Sequence, residues 1–479
     1  MRCLFVGFVN VIKEFITKYH LIKHKYSSNY VLREGLMKIN KIMLLALSLI
    51  LFTISSGFAA VPAPLYIQFS PSATKGALYY PDPALFPAPH VGLIVIHRNS
   101  NFLNHISTVE MPKRGFVVLG MNPRCDNNEA ACTPWENNAL DVKSGVNYLR
   151  KLPGITKVVL LGHSGGGPTM SFYEAVAENG VSYCQGNKLI DCDNTLAGLP
   201  KADGIIFMDG HPGNGVNSLK SINPAVMNDA NILEHNATAR INPNLDPFNP
   251  ANGYNPNGST VYSAAFKKKY FKAQAERLNG LIQIAEDRLA EVKGGYYKHP
   301  NYTDDAFMVP MADGGRLAQI DMTIEHSTVK PRKLLKNDGT IDDKNIVESV
   351  RVPSLTPDVT TQFGSSLFLT LKSFLSVRAI RASNSSDGIY VCSSNNSSPC
   401  ALQKVSVPIL VTAMGGHYFI RDSEIYYDLA ASKDKDFIVI EGATHGGTEC
   451  TACETTAGQY ANATKNLFDY MRDWINVRY

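Results

Sequence analysis

The chain has 479 residues, 44% of them hydrophobic and 18% charged, a globular balance that excludes a disordered or fibrous protein. Its formal charge of +4 belongs to the N-terminal end: residues 1–60 hold 8 of the 46 Lys and Arg and 2 of the 42 Asp and Glu, leaving 38 against 40. The remainder is not basic, which excludes a nucleic-acid surface as its organising feature.

From Met37 the chain runs through Lys38 and Lys41 into an apolar stretch, Ile42 to Phe52, and then small residues up to Ala59 and Ala60. That order of basic, apolar and small residues predicts a cleavable signal peptide over 37–60, with residues 1–36 an extension ahead of the natural start. The apolar run is shorter than the roughly 20 residues that a membrane-spanning helix needs. The mature protein is expected to be periplasmic or secreted, without membrane insertion after cleavage. Cysteine usage agrees. Beyond Cys3, eight cysteines fall into four close pairs, which predicts disulfides Cys125–Cys132, Cys184–Cys192, Cys392–Cys400 and Cys450–Cys453 in an oxidising compartment, the last with a metal or redox site beside His445 as its alternative.

Residues 65–80 read as an opening antiparallel hairpin. Short apolar runs then predict strands at 92–96, 116–120, 157–161, 204–208, 408–413 and 437–440, alternating with helical patterns near 136–151, 165–179, 422–432 and 457–475. Such alternation predicts an α/β fold with a doubly wound, mostly parallel sheet. Residues 212–404 interrupt it. They contain a polar stretch (Asn242–Asn257), a long amphipathic helix from Ser263 to Val292, and a turn at Asn337-Asp338-Gly339. A structureless loop of that length does not suit a compact domain. The segment 212–404 is therefore expected to form a cap over a core built from 61–211 and 405–479.

The segment Val158-Val159-Leu160-Leu161-Gly162-His163-Ser164-Gly165-Gly166-Gly167-Pro168 fits G-x-S-x-G between a buried strand and a helix. A serine on so sharp a turn strains its backbone, and Gly162 and Gly166 let the chain pass closely without Cβ clashes. The helix starting there points unpaired N–H groups at any oxyanion. The segment lacks the second glycine of a dinucleotide fingerprint and the Gly-Lys-Ser/Thr of a phosphate loop. A serine hydroxyl needs a base. His445, on the small-residue loop Gly442-Ala443-Thr444-His445-Gly446-Gly447 after the last predicted strand, is the candidate.

With serine first and histidine last, residues 90–475 outside the insertion resemble the α/β-hydrolase superfamily, of the exported serine esterase or lipase type with a large cap. The resemblance implies a Ser164–His445–acid triad. The acid usually follows the strand read here at 408–413, but Gly416 and His417 stand there, with Asp422 and Glu424 slightly later. The superfamily's other position, the end of the preceding strand, offers Asp209. Asp209 is favoured, and Glu424 and Asp422 remain open. For the oxyanion the resemblance implies the N–H of Gly165 and a second from the loop after 92–96, from Asn99 or Arg98. Arg98 stands where glycine is usual and has an alternative role in binding a substrate carboxylate.

The expected activity is hydrolysis of a small-molecule carboxylic ester through an acyl-enzyme, with no organic cofactor and no metal. The same triad would serve an amidase, thioesterase or peptidase. A non-catalytic binding protein on this scaffold is the rival of a different class. Oligomeric state is not legible.

Overall fold

The computed structural model describes residues 62–479 except 71, 126–127, 228, 230–240, 296–302 and 354–365. The signal peptide expected over 37–60 and the extension expected before it lie outside the described residues. Ten strands form one sheet: β1 (Leu65–Gln68), β2 (Lys75–Tyr79), β3 (Val91–Ile96), β4 (Val117–Asn122), β5 (Lys157–His163), β6 (Gly204–Met208), β7 (Lys333–Leu335), β8 (Ile341–Asp342), β9 (Ile409–Met414) and β10 (Lys435–Ile440). Their order is β1-β2-β4-β3-β5-β6-β9-β10-β7-β8. The strands from β4 to β7 in that order pair in parallel, and the opening hairpin and β8 join antiparallel at the two ends.

The central strands are buried on both faces, which is why they read as unbroken apolar runs. Their side chains alternate. Val158 and Leu160 of β5 face a layer that includes Val142 and Val146 of α1 (Asn138–Lys151) and Met170 and Phe172 of α2 (Gly166–Asn179). Val159 and Leu161 face the opposite layer. A third cluster lies in the insertion, where Val216 and Leu219 of α3 (Asn214–Ser221) meet Leu278, Leu281 and Ile282 of α4 (Ala264–Lys293). The sheet layers are completed by Ile420 and Tyr426 of α5 (Ile420–Leu429) on the first side and Leu467, Phe468, Met471 and Trp474 of α6 (Ala463–Asn476) on the second. Each such fully buried side chain contributes about 2 kcal/mol of transfer free energy.

The insertion departs from the expected boundaries. Residues 333–342 are not cap: β7 pairs in parallel with β10, and β8 returns antiparallel after the turn at Asn337–Gly339. The chain thereby covers the edge of β10, whose backbone groups would otherwise face solvent unpaired. Buried ion pairs stitch the rest of 212–404 to the core. Asp422 holds both Lys220 and Arg316, and Arg332 reaches Glu424. Four disulfides join the predicted neighbours, Cys450–Cys453 included. No described helix is long and apolar enough to cross a membrane.

Candidate active site

The site forms where β5, β6 and the loop after β10 end together at one edge of the sheet. Ser164 follows β5 directly with φ +54°, a left-handed conformation that a serine tolerates only under constraint. Its carbonyl accepts from Gly167 N–H (3.0 Å) and His211 N–H (2.8 Å), which fixes the turn. At Gly162 a Cβ would stand 2.8 Å from the Gly166 carbonyl oxygen, so the serine's neighbours have to be small.

Ser164 Oγ lies 3.0 Å from His445 Nε2, and His445 Nδ1 lies 2.6 Å from Asp209 Oδ2. Asp209 directly follows β6 with φ +44°. It is fully buried, and Met414 N–H donates to its Oδ1 at 3.2 Å. Burial alone would raise this carboxyl, yet His417 and His445 together hold it below the usual carboxylate range. Of the three carboxylates left open by the sequence, Asp209 is the one within hydrogen-bond reach of His445. Asp422 is engaged by Lys220 and Arg316, and Glu424 accepts Val329 N–H, Lys330 N–H and Arg332, so neither reaches His445.

The expected oxyanion donors are arranged differently from the expectation. Gly165 N–H already donates to His97 Nε2 at 3.1 Å, and Asn99 N–H points at His97 Nδ1 at 3.2 Å. Ser100 N–H approaches the same Nδ1 at 2.9 Å. A neutral imidazole carries one hydrogen, so it cannot accept at both nitrogens. Burial, and next the charge of Arg98, keep His97 neutral by lowering its pKa well below the ordinary value. One of its two nitrogens therefore carries the hydrogen and leaves the N–H groups facing it unsatisfied. The Arg98 side chain lies beside Gly165. The guanidinium pairs with Glu129, which also holds Arg378, and Nε lies 3.1 Å from where a Cβ would stand on Gly165. Among the described residues Nε has no hydrogen-bond partner.

Sequence reasoning passed over four further histidines. His163 Nε2 donates to the His445 carbonyl at 2.8 Å, so its Nδ1 is the acceptor and receives His105 Nε2–H, also at 2.8 Å. His105 Nδ1 in turn accepts from Ser107 N–H at the start of the short helix Ile106–Glu110. The relay is self-consistent with every ring neutral. Burial first, and then the neighbouring His445, lower His105 to about 4 and His163 well below the ordinary imidazole value. Two buried rings thus anchor the loop that carries His445. His417 Nδ1 lies 2.6 Å from the same Asp209 oxygen but is misaligned for a hydrogen bond, and its ring stacks on His445 at 4.4 Å. His211 presents its Nε2 to Ser164 Oγ at 3.0 Å. His163 and His211 could have been found by their nearness in sequence to Ser164 and Asp209, and His417 by its place after the strand 408–413, whereas His105 carried no such signal.

Asp209, His417 and His445 also bring one ligand atom each within 4.8 Å of one another, enough for three donors to a cation. Such an ion would take His445 Nδ1 away from Asp209. Chemically, the arrangement provides a hydroxyl on a helix N-terminus, an imidazole acceptor, and a buried carboxylate that orients it.

No family model and no curated protein matches the chain. Among solved structures it is similar to a siderophore hydrolase from Aspergillus fumigatus, at 11% identity and a TM-score of 0.41 over 88% of this chain and 98% of that one. A soluble variant of monoglyceride lipase from Saccharomyces cerevisiae is 12% identical, with a TM-score of 0.38 over 88% and 96%. A dienelactone hydrolase from Anabaena variabilis is 9% identical, with a TM-score of 0.33 over 87% and 99%.

Proposed function

On a scaffold with the α/β-hydrolase fold, we propose that this chain is an exported serine hydrolase that cleaves a carboxylic ester through an acyl-enzyme. The observation that carries the proposal is the unbroken chain Ser164 Oγ–His445–Asp209, with contacts of 3.0 and 2.6 Å. In this reading Ser164 Oγ attacks the carbonyl carbon while His445 Nε2 takes its proton. Asp209 fixes the imidazole tautomer and stabilises the imidazolium. His445 returns the proton to the departing alkoxide, and water then repeats the sequence on the acyl-enzyme.

The oxyanion is assigned to Gly165 N–H, released as the substrate oxygen displaces His97 Nε2. The second donor is the buried Arg98 Nε–H rather than Asn99 N–H, which points at His97. A cationic donor stabilises developing negative charge more strongly than a neutral one. The four disulfides favour export, and the parts of 212–404 outside the sheet are assigned to a cap that shapes the substrate pocket. No metal is assigned to the triad, so chelators should leave turnover unchanged. The test is Ser164→Ala assayed on nitrophenyl esters: turnover should fall by up to about six powers of ten with the circular dichroism spectrum intact. Undiminished hydrolysis in that variant would refute the proposal.

A further inference from the structure

His211 touches the nucleophile as closely as His445 does, and its hydrogen-bond partners determine its tautomer. Asn396 Oδ1 accepts the backbone N–H of Asn214 at 2.7 Å, so the Asn396 atom there is the oxygen. Asn214 Nδ2 donates to the same oxygen at 3.0 Å, which turns Asn214 Oδ1 toward His211 Nδ1 at 3.1 Å. An amide oxygen can only accept, so His211 Nδ1 carries the hydrogen and Nε2 is bare. That bare nitrogen stands 3.0 Å from Ser164 Oγ. The ring cannot easily turn away. His211 N–H is bonded to the Ser164 carbonyl, its own carbonyl accepts from Ser398, and Phe419 packs edge-on against it at 5.0 Å between centroids.

Two acceptors therefore face one hydroxyl proton. We propose that His211 is a second catalytic base for Ser164, sharing the hydroxyl proton with His445; this rests on the serine-hydrolase reading. His445 is the better of the two, because its imidazolium leans on the Asp209 carboxylate whereas that of His211 leans on the neutral amide of Asn214. Without His445 the proton passes from Oγ to His211 Nε2 as the Oγ–carbon bond forms and the carbonyl π pair moves to its oxygen. When the tetrahedral carbon expels the alkoxide, that carbon–oxygen bond breaks and the proton leaves Nε2 for the alkoxide.

The experiment measures the rate at which a fluorophosphonate probe labels Ser164 in the full chain, for His445→Ala, His211→Gln, the double variant and the wild type. His445→Ala should still label, and adding His211→Gln should slow it by a further factor of about 100, the contribution of a positioned base. In the presence of His445 the same His211→Gln change should slow labelling only a few-fold. A structural role costs the same factor in both backgrounds, and that result would overturn the proposal. If the double variant loses its circular dichroism spectrum, His445→Ala/Asn214→Leu decides instead. Freed from its acceptor, His211 should shift its hydrogen to Nε2 and label about tenfold slower or worse than His445→Ala alone; an unchanged rate would again overturn it. Wild-type protein that fails to label would refute the underlying serine-hydrolase reading, not this inference alone.

Discussion

Replacing Asp209 by Asn separates the proposed triad from its sequence-level rivals more sharply than any other single change. The variant keeps size and shape, and Met414 N–H still needs an acceptor at the Oδ1 position. The amide must therefore turn its oxygen to Met414 and its NH2 to His445 Nδ1, replacing the acceptor that now stands at 2.6 Å. A donor at that place forces the imidazole hydrogen onto Nε2, leaving no lone pair for the Ser164 hydroxyl. A comparable tautomer fault costs about 10⁴ in turnover, or about 5 kcal/mol of barrier. Glu424→Gln is the matched control. It weakens a buried set comprising Arg332 and the N–H groups of Val329 and Lys330, so unfolding free energy should fall by about 3 kcal/mol. That is the low end for a severed buried pair, because Arg332 keeps Asp428 as a partner. Its turnover of a nitrophenyl ester should stay within a few-fold of wild type. Steady-state kinetics and urea unfolding on both variants provide the comparison. An Asp209→Asn enzyme within tenfold of wild type, beside a dead Glu424→Gln, would rule out Asp209 as the acid.

Other outcomes follow from the same geometry. His163→Phe removes the ring N–H that ties the His445 carbonyl, and kcat should fall roughly 10- to 100-fold with KM little changed, as expected for a displaced base. Gly442→Ala places a methyl group into the Tyr460 ring at a backbone φ of +61°, so thermal unfolding should show a loss of at least about 3 kcal/mol. Burial opposes ionisation of Glu129, but Arg98 and Arg378 outweigh it and bring its pKa to about 2. A lowered carboxyl contributes stability above its unfolded value and loses it as pH falls, so about 3 kcal/mol should disappear between pH 4.5 and 2. Glu129→Gln should flatten that part of a pH series of urea unfolding curves. Cys184→Ser/Cys192→Ser opens a loop with a sequence separation of 8 and should lower unfolding free energy by about 2–3 kcal/mol.

Much of the fold was legible because the sheet is buried on both faces. Val158 to Leu161 and Ile205 to Met208 read as continuous apolar runs, and each ends at a chemically distinctive residue. Ser164 was visible through the glycines that its turn requires, and Asp209 through its place at a strand end. What escaped the sequence depends on contacts between distant segments. Lys333–Leu335 is too short to announce a strand, and only its neighbour β10 makes it one. His211 differs from an ordinary loop histidine only through Asn214 and Asn396, the latter 182 residues from Asn214. The engagement of Gly165 by His97 requires the two loops to be brought together, and no spacing rule encodes that. That Asp209, and neither Asp422 nor Glu424, lies beside His445 likewise depends on distant partners, since Lys220, Arg316 and Arg332 engage the other two.

The most direct measurement is a rapid acid quench during the first turnover of a nitrophenyl ester, followed by intact-mass analysis and peptide mapping. The acyl-enzyme mechanism predicts an adduct with the mass of the acyl group on the peptide containing Ser164, formed with a burst of nitrophenol and absent from Ser164→Ala. Turnover without a burst or adduct, or an adduct on another residue, would contradict it.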